Sequence, residues 1–186
     1  MNVFLFALRM RRAARATLCK LTTIRITRKG ADRVLSGHPW IFASDVADRG
    51  GAPRGAAVSV ADPRGRVLGT AHYSSSSEIT LRMLSRQAIA VDREFWLRRL
   101  RDAEAHRRAV VRDSDAYRLV HAEADLLPAL IVDRYGSDLV MQTLNQGMDA
   151  AALEIASCLE ELFAPQAIVL RNDASVRRKE DLPQAV

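Results

Sequence analysis

From Leu21 onward the apolar positions recur every second residue. Ile24 and Ile26 alternate with Arg25 and Thr27, and Val58 and Val60 alternate again. Ile79, Leu81 and Met83 then place Thr80 and Arg82 on the opposite face. This period belongs to short, half-buried strands. Between the first two sets, Gly30 to Ser36 predicts a short helix that Gly37 ends and Pro39 keeps from continuing. Extended structure resumes in HPWIFASDV. Gly50, Gly51, Pro53 and Gly55 mark a wide turn, and Asp62-Pro63-Arg64-Gly65 marks a tight one, with Val67 to Tyr73 as the returning strand. Short strands with one small helix predict a compact, mostly β, barrel-like unit over residues 21–86.

The period lengthens after Ser85. Asp92 is placed to cap a helix, Glu94 falls in its first turn, and Trp96, Leu100, Ala103 and Val110 form a stripe as far as about Arg112. Because that helix could dock against either flank, residues 87–114 read as a connector. A second unit, 115–175, begins with Tyr117, Leu119 and His121 on one strand face. Leu130–Val132 and Leu139–Met141 flank a hairpin turn at Gly136. Asp149 is placed to cap a helix whose Leu153, Ala156, Leu159 and Leu162/Phe163 face inward, with Pro165 closing it. Ala167 to Leu170 reads as a final buried strand. Residues 176–186 are polar, without a packing signal, and read as a linker cut short. Residues 1–20 read as a basic extension, disordered or mis-assigned. The expected fold class is α+β: a β-rich pseudobarrel, a connector helix, then a small α+β domain.

Composition narrows the function. At 48% hydrophobic and 27% charged residues over 186 positions, the chain is globular rather than disordered. The net charge of +6 is unevenly spread, since residues 1–40 hold nine Lys/Arg against Asp32 alone. A cationic front on a near-neutral body favours a polyanionic partner. Arg25, Arg28, Lys29 and Arg33 lie together in this acid-poor stretch, beside His38, while Arg82 sits on the polar face of a strand. These six are the candidate phosphate-binding residues. Trp40, in Gly37-His38-Pro39-Trp40, reads as the apolar anchor of a corner.

Other chemistry is poorly supported. Cys19 and Cys158 are too few and too far apart for a disulfide framework or a zinc site, and Cys158 in AALEIASCLEELF reads as a buried helical residue. His121, Glu123 and Asp125 would share a strand face, but no fourth metal ligand follows, so a structural polar cluster beside the DLLP turn is the preferred reading. The six apolar residues at the start precede the charge, the wrong order for a secretory signal, although an Arg-rich, acid-free start has some character of a transit peptide. Nothing approaches the ~18 apolar residues of a membrane span. The expected compartment is the cytoplasm.

Two segments carry a resemblance: KGADRVLSGHPWIF from Lys29 to Phe42, and YRLVHAEADLLPALIVDRYG from Tyr117 to Gly136. In this order and separation they resemble the front half of the class I S-adenosylmethionine-dependent methyltransferases that modify cytosine C5 in large-subunit ribosomal RNA. The resemblance extends over about residues 21–183. It implies an RNA-binding PUA domain, then a central α+β domain, with a Rossmann-type catalytic domain beyond them. It also implies ribosomal RNA as partner, and in the full-length family S-adenosylmethionine as methyl donor and a cysteine that adds to C6. No position matches the family's catalytic cysteine or cofactor loop, and no glycine pair here follows a buried parallel strand and opens a helix. No catalytic, cofactor or metal residue is therefore expected, and no methyl transfer by these residues alone. One departure stands out: Leu126 and Leu127 occupy a turn where the family has glycine. The alternatives are a free-standing PUA-type RNA-binding module, a metal-dependent hydrolase built on the His121 trio, and a scaffold that dimerises through an exposed edge.

Overall fold

The computed structural model describes residues 21–186. The expected extension over 1–20, with its five basic residues and Cys19, lies outside the described residues.

The first domain is a six-stranded, curled sheet. Its strands are β1 (Thr23–Ile26), β2 (Trp40–Phe42), β3 (Val46–Asp48), β4 (Ala57–Ala61), β5 (Val67–Tyr73) and β6 (Ile79–Ser85), in the order β2-β6-β5-β4-β1-β3. β1 runs parallel to β4, and the other pairings are antiparallel. The period-two reading holds here: Ile24, Ile26, Ile41, Val58, Val60 and Leu81 are fully buried in one cluster. Helix α1 (Arg28–Leu35) closes one side. It starts two residues earlier than expected because the Thr27 hydroxyl accepts from the Gly30 amide. It ends as the sequence predicts. Gly37 adopts φ +105°, its amide donates to Val34 O, and the His38 amide donates to Arg33 O. Those two bonds satisfy carbonyls that the last helical turn leaves open, and a side chain at Gly37 would resist the conformation.

The second domain comprises α2 (Arg93–Val110), β7 (Ala116–His121), β8 (Leu130–Tyr135), β9 (Asp138–Thr143), α3 (Gln146–Ala150), α4 (Ala152–Phe163) and β10 (Ile168–Leu170), with sheet order β10-β9-β8-β7. Asp92 caps α2 through the Phe95 amide, as predicted. However, α2 is not a connector. Phe95, Trp96, Leu97, Leu100 and Ala103 are all buried in the same cluster as β7, β8, β9 and α4. Hydrophobic burial of this size assigns α2 to the second core. Val110, expected on the stripe, is 58% exposed at the helix end.

Three further expectations change. A bulge in β7 between Arg118 and Val120 breaks the alternation, so Leu119 and Val120 are both buried and His121 is exposed. Asn145, not Asp149, caps the helical region after β9, by accepting from the Met148 amide. The helix then breaks at Ala151, and the restart turns Ile155, Cys158 and Leu159 inward while leaving Leu153 88% exposed. β10 is an edge strand paired in parallel with β9 alone, and Val169 and Leu170 remain well exposed instead of buried.

The largest correction concerns residues 176–186. They form no loose linker but fold back across both domains. Ser175–Glu180 makes a 3-10 turn that buries Arg177 and Glu180. Glu180 reaches Arg82 of β6 at 3.0 Å, accepts from the Ser74 hydroxyl at 2.6 Å, and accepts from the Gln146 amide at 3.4 Å. Arg177 donates to Asp149 and to Thr143 of β9. Asn172 and Ala185 close the loop with paired backbone bonds. A polar pattern conceals such packing because its buried residues are charged and paired rather than apolar.

Two other contacts seal the junction. The His72 ring of β5 stands 5.9 Å from the Trp96 ring of α2. Trp40 Nε1 donates to Glu123 Oε1 at 2.8 Å, joining β2 to the 3-10 turn Ala122–Asp125. Glu180→Ala leaves Arg82 buried and unpaired, and should cost about 3 kcal/mol in urea unfolding. His72 is buried with no partner at Nδ1, and burial, then the Arg82 charge, holds its pKa down to about 4 from 6.5. The unfolded chain therefore takes up a proton that the folded one refuses. Stability is full above pH 6.5 and falls by about 3 kcal/mol as pH drops to 4, and His72→Gln should flatten that slope in denaturant titrations.

Candidate nucleic-acid interface

The tight turn between β4 and β5 is built by one carboxylate. Asp62 Oδ1 accepts from the Arg64 and Arg66 amides, each at 2.9 Å, and Oδ2 takes Arg66 Nε at 3.2 Å. Desolvation works to raise the Asp62 pKa, but the two amides and the Arg66 guanidinium outweigh it and hold the pKa down. With Asp62 so occupied, Arg64 projects from an exposed turn. Across from it stands α1, with Arg28 in its first turn and no acid there. Between them opens a cleft of about 520 Å3, lined by Arg28, Asp32, Leu35, Arg64 and Arg66. A smaller groove of about 180 Å3 is lined by Arg66 and Arg86. Three arginines against Asp32 and Asp62, the latter tied to its own turn and to Arg66, leave the cleft with a modest positive excess that suits phosphates, which a guanidinium can meet with paired donors.

The six predicted residues separate into distinct roles. Arg28 and Lys29 are exposed at the start of α1 and make no ion pair among the described residues. Arg25 is exposed but lies 3.5 Å from Asp48. His38 is exposed, its Nδ1 accepting from the Trp40 amide at 3.1 Å. Arg33 is mostly engaged inside the protein: it pairs with buried Asp45 at 2.5 Å and lies over the Phe42 ring at 5.1 Å. Arg82 is not an RNA contact. It is buried, held by Glu180 and by Ile79 O, because curling of the sheet and the returning C-terminal turn cover its strand face. Arg64, Arg66 and Arg86 were missed. The DPRGR turn was legible as a turn, and the two arginines flanking Gly65 were the signal that its tip is cationic.

The acidic trio disperses. Asp125 accepts from Arg107 at 2.5 and 3.2 Å and from the His121 amide at 2.6 Å. Glu123 is bound to Trp40 of the first domain, so of the trio only Asp125 braces the turn, through the His121 amide and Arg107. Leu126 takes the left-handed conformation, φ +57°, without a glycine, and Ala129 does the same at +65°. Cys158 is fully buried, and that burial raises its thiol pKa above the ordinary value; the thiol is packing, not nucleophile.

A nucleoside cofactor needs a glycine at a strand-to-helix junction with open space beside it. Gly30, after β1, faces Asp45, whose Cβ stands 3.0 Å from where a Gly30 side chain would start. Gly147, after β9, is filled by the His72 ring, 2.2 Å from the corresponding position. Neither junction has room beside its glycine for S-adenosylmethionine.

Comparison with known proteins agrees with this architecture. Residues 24–86 match the PUA-like domain family. The chain is 37% identical over 167 residues to ribosomal RNA large subunit methyltransferase I of Tolumonas auensis, covering 88% of this chain and 42% of that protein. It is 41% identical over 167 residues to the protein of the same name in Shewanella amazonensis, with 87% and 42% covered. It thus spans about two-fifths of the length of these curated relatives. Among solved structures, a putative methyltransferase complexed with SAH superposes with a TM-score of 0.70 at 15% identity, over 81% of this chain and 40% of that one. A putative SAM-dependent methyltransferase from Streptococcus mutans does so with the same score and identity, over 83% and 42%. These two likenesses bear on the fold alone. The chain is a PUA-like domain joined to a small α+β domain, similar along most of its length to the N-terminal portion of the large-subunit ribosomal RNA methyltransferase I family.

Proposed function

We propose that these residues hold ribosomal RNA for a cytosine-C5 methyltransferase of the cytoplasm that uses S-adenosylmethionine. The observation that carries the reading is the cationic cleft of the PUA-like domain, where Arg28 on α1 faces Arg64 and Arg66 on the β4–β5 turn. Such a cleft grips the RNA backbone, and binding gains free energy from the counterions that the phosphates release. Lys29 extends the cationic edge, and His38 and Arg25 flank it. The second domain contributes orientation. The buried Arg82–Glu180 pair and the Trp40–Glu123 hydrogen bond hold it at one angle to the RNA-binding domain. The part played by these residues is therefore placement, with methyl transfer left to residues outside them.

Binding to structured ribosomal RNA should weaken steeply with salt. Arg28→Ala and Arg64→Ala should each lower affinity a few-fold, alike for all sequences, and each should reduce the slope of log affinity against log salt by about 1. Arg82 variants that remain folded should keep wild-type affinity. Fluorescence anisotropy from 50 mM to 300 mM salt (roughly the range over which such contacts are lost) reads all three, and salt-independent binding would sink the proposal. Incubation with labelled S-adenosylmethionine should leave the RNA unlabelled.

A further inference from the structure

A second cleft, of about 530 Å3, opens on the other domain between α2 and the turn Ala122–Asp125. Arg99, His106 and Arg107 approach it from α2, and Arg118 and His121 from β7. Its acids are Asp102 and Asp125; Asp125 is saturated by Arg107 and the His121 amide, which neutralises Arg107 in turn, and Arg118 pairs with Asp133 at 2.9 Å. Arg99 has no carboxylate within ion-pairing distance among the described residues. One of its nitrogens donates to Leu84 O, its Nε has no partner, and its guanidinium lies 5.5 Å from the Phe95 ring centre. Burial, then the neighbouring Arg98, disfavours its charge, while Asp102 favours it. An anion bound nearby would relieve that imbalance.

The same cleft presents hydrocarbon to solvent. Val110 stands on one wall and Leu126 on the other, 58% and 55% exposed. Leu126 is displayed by a left-handed backbone that leucine adopts reluctantly. Exposed aliphatic side chains are ordinary singly, but two lining one cleft beside a guanidinium that has no carboxylate partner among the described residues form a combined surface. Such a surface needs a ligand with a flat apolar face and an adjacent negative charge. A base-paired duplex offers phosphates only, since its bases are stacked away. An unpaired nucleotide offers both, its base lying on hydrocarbon and its phosphate beside the Arg99 guanidinium. The cleft also adjoins the RNA-binding domain. The turn that forms one wall carries Glu123, which holds Trp40 of edge strand β2, two residues from exposed His38.

We propose that this cleft receives an unpaired nucleotide flanking the RNA structure held by the PUA-like domain. The inference rests on the RNA-binding function proposed above, and extends the RNA footprint onto the second domain. The test uses the full chain, a blunt RNA hairpin, and the same hairpin with a single-stranded uridine tail. Wild type should prefer the tailed RNA by roughly five- to tenfold in anisotropy titrations. Val110→Ser/Leu126→Asn, which removes apolar surface without altering charge and keeps a residue that tolerates the left-handed turn, should abolish the preference and leave blunt-hairpin affinity unchanged. As a second measurement on the unaltered protein, 4-thiouridine in the tail should crosslink within residues 103–126. A wild type that binds both RNAs equally, a preference that survives in the double variant, or crosslinks elsewhere would overturn the inference and leave an acidic peptide as the cleft's occupant. A wild type that binds neither RNA would instead overturn the RNA-binding reading itself.

Discussion

Arg82 and Glu180 face each other at 3.0 Å with their side chains 8% and 1% exposed, and the arrangement of the protein depends on that pair. Neither charge could stay in that position alone, because burying an unpaired ion costs several kcal/mol. The pair therefore binds β6 of the first sheet to the C-terminal turn. Through its second oxygen, Glu180 also gathers the Ser74 hydroxyl and the first amide of α3. One carboxylate on the C-terminal turn thus holds both the β5–β6 hairpin and the start of α3. The ion pair supplies the charge balance, and the directional hydrogen bonds from Ser74 and Gln146 specify an angle between domains, which apolar contact alone would leave free to slide.

The contacts around the pair are consistent with a closed junction. His72 fills the space beside Gly147, where a side chain has no room. Trp40 spends its indole donor on Glu123 of the second domain. With these contacts made, the α1 cleft on one domain and the α2 cleft on the other belong to a single rigid surface. An RNA that engages both must present its structured and unpaired parts at a set separation. A fixed geometry of this kind selects partners by shape, as the proposed RNA-holding role requires.

The charge distribution has a division of labour that composition alone conceals. Arginines near α1 differ in fate according to the acids that the fold brings to them. Arg33 meets Asp45, twelve residues away, and becomes part of the interior. Arg28 meets none among the described residues and remains exposed. Arg64 stands unpaired, among the described residues, on the turn that Asp62 shapes by binding its backbone, whereas Arg66, though exposed, gives its Nε to Asp62. Cationic function here is decided by which guanidinium lacks a buried partner, not by how many are nearby in sequence.

Local signals explain what the chain disclosed directly. The two-residue period of Ile24/Ile26 and Val58/Val60, the Gly37 helix stop, the Asp92 cap and the Gly136 hairpin all depend on residues within a few positions of each other, so each was legible in advance. The bulge at Leu119 and the break at Ala151 were not. Both shift a periodic pattern by one step, and only neighbouring strands and helices reveal which face that step turns inward. The roles of Arg82, Glu180 and Arg177 were equally hidden, since a charged residue reads as exposed until its partner is known, and these partners lie 28 to 98 positions away. The sequence by itself determined the elements, the α+β class and the cationic character of the front domain, because short-range periodicity, capping and composition suffice for those. Tertiary structure alone decided which charges are buried, which are left exposed, and at what angle the two domains stand, because long-range pairing is written in no local pattern.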